Sequence, residues 1–161
     1  MRSPSFLFVC LGNICRSPLA EAAFLEAAKR AGIAVTADSA GTGDWHVGHA
    51  PDPRSQAVAA RHGVDISGMR ARRVRGEDFR SFDHILALDP QNLRDLHAIA
   101  PAGTTARLSL LLDHVPGRAG QGVRDPYHGD DSGFDMVWKD VSAAADALVA
   151  MLNEEGSQSI G

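Results

Sequence analysis

Phe6-Leu7-Phe8-Val9-Cys10-Leu11-Gly12-Asn13-Ile14-Cys15-Arg16-Ser17-Pro18 is the stretch that decides the fold. The continuous apolar run Phe6 to Cys10, closed by Gly12, reads as a short strand buried on both faces. Ser17 and Pro18 then open a helix, with Ser17 as N-cap and Pro18 at the first helical position. Ala20, Ala23, Phe24, Ala27, Ala28 and Ala31 keep helical spacing until Gly32 stops it. Ile33 to Ala40 reads as a second strand ended by Gly41. The result is a strand–loop–helix–strand unit, whose crossover is expected to be right-handed.

The pattern continues outward from this unit. Helix is expected over Pro53–Arg61, strand over Phe82–Asp89, helix over Pro90–Ala98 and strand over Arg107–Leu112. Gly117 to Ser132, rich in glycine and aspartate, reads as loop. Phe134–Leu152 closes as a helix, with Val137, Val141, Ala144, Ala145, Leu148 and Leu152 on one stripe. Strands alternating with helices predict an α/β, doubly wound, three-layer domain around a four-stranded parallel sheet. The 161 residues fit a single domain, residues 1–161, with an ordered core over about 4–155. Ligands of such sheets bind outside the carboxyl ends of the strands, where residues 10–17 lie.

A formal net charge of -4 argues against general nucleic-acid or membrane binding. No apolar run is long enough for a membrane span, and the first ten residues make an unconvincing signal peptide. Cys10 and Cys15, five positions apart, do not form a secreted disulfide framework. A reducing, cytoplasmic setting is the expectation.

Five residues between Cys10 and Arg16 are enough to wrap a loop around one tetrahedral oxyanion. The backbone of Leu11, Gly12, Asn13, Ile14, Cys15, Arg16 and Ser17 would offer inward amides, with a helix N-terminus behind them. Gly12 permits a positive φ, and Asn13 tolerates the left-handed region while tying the loop to polar neighbours. Arg16 offers a planar fork for two phosphate oxygens. The same amides and dipole favour the thiolate of Cys10, the reactive species, and Ser17 can donate to its sulfur. The loop therefore points to a thiolate nucleophile acting on phosphate monoesters.

This loop resembles that of the low-molecular-weight protein tyrosine phosphatases. The likeness extends through Asp38-Ser39-Ala40-Gly41-Thr42, Asp44-Trp45, Val47-Gly48 and Pro51-Asp52-Pro53-Arg54. It continues at Ala71-Arg72-Arg73-Val74, Phe82-Asp83, Asn92-Leu93-Arg94-Asp95-Leu96 and Asp125-Pro126-Tyr127. The resemblance implies hydrolysis of phosphotyrosine and aryl phosphates through a phosphocysteine, with Asp125 as general acid and base. It implies no cofactor and no metal, and as partners phosphotyrosine proteins or small aryl phosphates, the enzyme being a monomer or weak homodimer. Ile14, Trp45, Tyr127 and His128 match positions around the substrate, His128 standing where many relatives have a second tyrosine. Trp45 could equally be an anchor packed on the core. Asn13 and Ser39 match a supporting network in which some relatives place a histidine; the corresponding residue here is Met69. Relatives acting on phosphoarginine carry threonine where this chain has Ile14, so phosphotyrosine is the expected preference.

Other readings are weaker. Arsenate reductases of similar fold need further cysteines than Cys10 and Cys15. Those two could form a protective disulfide, or Cys15 could simply be a small buried residue. A phosphotyrosine-binding module would be expected to lack the nucleophile, the arginine or the acid. His46 and His49 read as exposed loop histidines rather than metal ligands, and Arg70 to Arg75 as a solvated basic face. Tyr127, the only tyrosine, is a candidate for phosphorylation.

Overall fold

The computed structural model describes the backbone of residues 3–160 and the side chains of residues 3–155. Its order is β1 (Ser5–Cys10), α1 (Arg16–Ala31), β2 (Thr36–Gly41), α2 (Pro53–Arg61), α3 (Asp78–Ser81) and β3 (His84–Ala87). Then follow α4 (Pro90–Ile99), β4 (Arg107–Leu110), a 3₁₀ turn (Leu111–His114) and α5 (Ser132–Ile160). The sheet is parallel throughout, in the order β2-β1-β3-β4. β1 is thus an inner strand, which is why its residues are buried without alternation.

Side-chain alternation along β1 divides the interior. Phe6, Phe8 and Cys10 face a core built with α1, α2 and α5; Leu7 and Val9 face a second core with Phe79 and Leu96. The predicted stripe of α5, from Val137 to Leu152, is buried in the first core. Helices on both faces make this the doubly wound architecture expected, and Cys10 ends the inner strand at its carboxyl edge.

Several boundaries differ from expectation. β2 begins at Thr36 rather than Ile33, because its partner starts only at Ser5 and Thr36 pairs with Pro4 and Ser5. β3 is shorter at both ends: Asp83 turns its carboxylate onto Ser5, and Asp89 leaves the strand to cap α4. β4 stops at Leu110, where the chain winds into the 3₁₀ turn. Asp52 and Asp89 cap α2 and α4, each followed by a proline at the helix start. Among the described residues, no helix is long and apolar enough to cross a membrane.

Candidate active site

The chain between β1 and α1 curls back on itself at Asn13, the one non-glycine residue of positive φ (57°) among those described. Gly12 does not adopt the positive φ expected of it. Its missing side chain serves space instead, since a Cβ there would lie 3.0 Å from Cδ2 of His46.

Carbonyls of the loop are committed outward. Cys10 O accepts from Thr42 N at 3.0 Å, Leu11 O from Gly43 N at 2.9 Å and Ile14 O from Asp52 N at 2.8 Å. Cys15 O accepts from the buried Ser55 hydroxyl at 3.2 Å. Each trans peptide carries its N–H opposite its carbonyl. The amides of Leu11, Gly12, Cys15 and Arg16 therefore point to the inner side, at the positive end of α1.

Ser17 is not the N-cap. Helix α1 starts at Arg16 behind Cys15, so Ser17 and Pro18 lie within its first turn, and no side chain caps it. The hydroxyl of Ser17 is engaged elsewhere, 3.0 Å from Cys10 Sγ. Asn13 Nδ2 donates to Ser17 Oγ at 2.8 Å and to Ser39 Oγ at 3.0 Å. Ser17 Oγ thus accepts from Asn13 and shares a hydrogen bond with the sulfur, which also receives the Asn13 amide at 3.3 Å. At the neighbouring Cys15, burial first, then Asp52, Cys10 and Asp125, push the thiol up to about 12.

Asn13 finds its remaining partner in the main chain of Arg72, whose N–H donates to Asn13 Oδ1 at 3.0 Å. Met69 meanwhile packs, partly buried, against the larger core. The basic run is the solvated face expected at Arg70, Arg73 and Arg75, which are exposed, but not at Arg72. Ala71 and Val74 are buried, and the Arg72 guanidinium bonds Asp38 at 3.1 Å and both oxygens of buried Asp78 at 3.0 and 3.2 Å. Behind Ser39, burial and then the nearby Asp38 push the Glu21 carboxyl up to about 7, against the Ser39 hydroxyl and Arg72.

Arg16 is 2% exposed. Its Nη1 donates to Asp89 Oδ2 at 2.6 Å and to the Val123 carbonyl at 2.9 Å, and its Nη2 lies 3.7 Å from Asp125 Oδ2. Burial alone would lower its pKa; Cys10, Asp89 and Asp125 outweigh this and raise it. Asp89 is thus a site residue that sequence reasoning missed, having been read only as the last residue of a strand. Gly122 permits the approach, because a Cβ there would sit 2.8 Å from Cβ of Asp89.

A cleft of about 180 Å³ opens over the loop, lined by Cys10, Ile14, Arg16, Trp45, Asp125 and Tyr127, with Leu11, Gly12, Cys15, His46 and His128. Ile14 is nearly buried, whereas Trp45 is 67% exposed and so forms a wall rather than a core anchor. Gly43 lies against the Trp45 ring, where a Cβ would come 1.9 Å from Cζ3. His46 is only partly exposed and lines the cleft beside Tyr127, ring centres 6.1 Å apart, correcting its reading as an exposed loop residue. His49 is exposed.

Residues 5–158 match the family model of the low molecular weight phosphotyrosine protein phosphatases. The low molecular weight phosphotyrosine protein phosphatase of Schizosaccharomyces pombe is 44% identical over 131 residues, 80% of this chain and 83% of that protein. YfkJ of Bacillus subtilis, a low molecular weight protein-tyrosine-phosphatase, is 39% identical over 94% of this chain and 97% of its own. Its crystal structure superposes with a TM-score of 0.89 over 96% of this chain and 98% of that one. A Drosophila arginine phosphatase superposes at a TM-score of 0.86 with 29% identity, over 91% and 96%. The chain belongs to the low molecular weight phosphotyrosine protein phosphatase family.

Proposed function

We propose that this protein hydrolyses phosphotyrosine and aryl phosphate monoesters in two steps through a phosphocysteine on Cys10. The Arg16 side chain and the loop amides of Leu11, Gly12, Ile14, Cys15, Arg16 and Ser17 hold the phosphoryl oxygens as charge spreads over them, while the Asn13 amide stays on the sulfur. The Cys10 thiolate attacks phosphorus, the ester P–O bond breaks, and Asp125 gives its proton to the departing oxygen. Asp125, now a carboxylate, takes a proton from water; the water oxygen attacks phosphorus and the P–S bond breaks. Ser17 stabilises the returning thiolate. The observation that carries this reading is Cys10 Sγ held by Asn13 N–H and Ser17 Oγ, with Arg16 fixed between Asp89 and Asp125.

Ile14, Trp45, Tyr127 and His128 would flank an aromatic leaving group. The branched apolar side chain of Ile14 at the loop favours a planar ring over phosphoarginine, and Ile14→Thr should shift the ratio of the two activities. A reducing compartment such as the cytoplasm suits a mechanism that needs Cys10 as thiolate, and residues 1–161 suffice as one catalytic domain. The test is hydrolysis of p-nitrophenyl phosphate without added metal. Wild-type protein should turn it over and Cys10→Ser should not; activity surviving in Cys10→Ser would overturn the mechanism.

A further inference from the structure

Asp125 lies in a segment with neither strand nor helix, yet its carboxylate stands at the mouth of the phosphate loop. Arg54, in the first turn of α2, spans the distance between the two. Its Nε and Nη2 donate to the two oxygens of Asp52 at 3.1 and 3.0 Å. Nη2 also reaches the Tyr127 carbonyl at 3.0 Å, and Nη1 the Gly129 carbonyl at 3.2 Å. The guanidinium lies 4.5 Å from the ring centre of Phe134, in the first turn of α5.

Both ends of this strap are fixed. Asp52 donates its amide to Ile14 O of the phosphate loop at 2.8 Å and caps α2 through Arg54 N at 2.8 Å. At the far end, Tyr127 donates its amide to Asp125 Oδ1 at 3.1 Å. Tyr127 is therefore held at its amide by Asp125 and at its carbonyl by Arg54. We infer that Arg54 is a positioning residue for proton transfer, tying the Asp125 loop to the phosphate loop through Asp52. The inference rests on the reading of Asp125 as general acid. Lysine could not replace Arg54, because a single ammonium cannot serve a carboxylate and two carbonyls in one plane.

The test compares kcat/KM on phenyl phosphate, whose leaving group needs a proton, with p-nitrophenyl phosphate, whose leaving group needs it little. Arg54→Gln and Arg54→Lys should each lose about ten-fold on phenyl phosphate and less than about two-fold on p-nitrophenyl phosphate. Adding Arg54→Gln to Asp125→Asn should cost nothing further on phenyl phosphate, since both act on one proton transfer. Equal losses on the two substrates, or additive losses in the double variant, would overturn the inference. Arg54→Lys keeps the charge beside Asp52 and gives the same comparison if Arg54→Gln does not fold. Should Asp125→Asn itself ignore the leaving group, the acid assignment falls and the strap with it. Should Asp125→Asn discriminate while the Arg54 variants do not, the strap alone falls.

Discussion

Asp89 serves two elements with its two oxygens, and substitution can separate them. Oδ1 accepts from Asn92 N at 2.7 Å and caps α4, while Oδ2 accepts from Arg16 Nη1 at 2.6 Å. Asp89→Ala removes both contacts. Asp89→Ser keeps a capping oxygen on a side chain too short for Arg16. Loss of a cap costs about 1 kcal/mol, and loss of a hydrogen bond to a charged group about 1.5–3 kcal/mol. Stripping the partner from a fully buried charge would cost about 3–5 kcal/mol. Here the Asp89 side chain is 25% exposed and Val123 O still holds Nη1, which places the loss at the lower end. Urea denaturation should therefore show Asp89→Ala destabilised by about 2.5–4 kcal/mol and Asp89→Ser by about 1.5–3 kcal/mol. In both, kcat/KM on an aryl phosphate should fall about ten-fold or more, because the Arg16 fork leaves its place. Wild-type kcat/KM in Asp89→Ser would refute the claim that Asp89 orients Arg16, and equal destabilisation of the two variants would remove the cap.

Glu21, ordinarily titrating at 4.5, is pushed up to about 7, so the folded state binds its proton more tightly than the unfolded chain. Its contribution to stability is present below pH 4.5 and lost as pH rises through 7, about 3 kcal/mol in all at about 1.36 kcal/mol per pH unit. Glu21→Gln should flatten that slope in urea denaturation at stepped pH; an unchanged slope would show that Glu21 is not its source. Phe24 is fully buried between Phe6 and Phe8, with ring centres 4.6 and 5.6 Å away. Phe24→Ala should cost about 3–5 kcal/mol in the same assay, and a cost below about 1 kcal/mol would mean the three rings do not form a packed unit.

The strand-to-helix passage from Phe6 to Gly32 was legible because burial and helical spacing are local patterns. Ser17 shows where local reasoning ends. Its place before a proline signals a cap, but the hydroxyl is taken by a cysteine seven residues earlier, a contact made only when the loop closes. Arg72 sits in a run of charge that looks solvated, and only the packed chain brings Asp38 and Asp78 against it. Asp89 and Asp52 carry correct capping signals, yet their second roles, on Arg16 and on the phosphate loop, depend on residues far away in sequence. His46 required knowledge of which side of Gly12 the following loop would cover. Local chemistry was readable; tertiary reuse of the same groups was not.

The central claim is that Cys10 carries the phosphoryl group during turnover. Acid quenching during hydrolysis of p-nitrophenyl phosphate, followed by intact-mass analysis and fragment localisation, tests it directly. Wild-type protein should carry one phosphoryl group on Cys10, and Cys10→Ser should carry none. Wild-type turnover with no adduct, or with the phosphoryl group on Cys15 or a histidine, would contradict it.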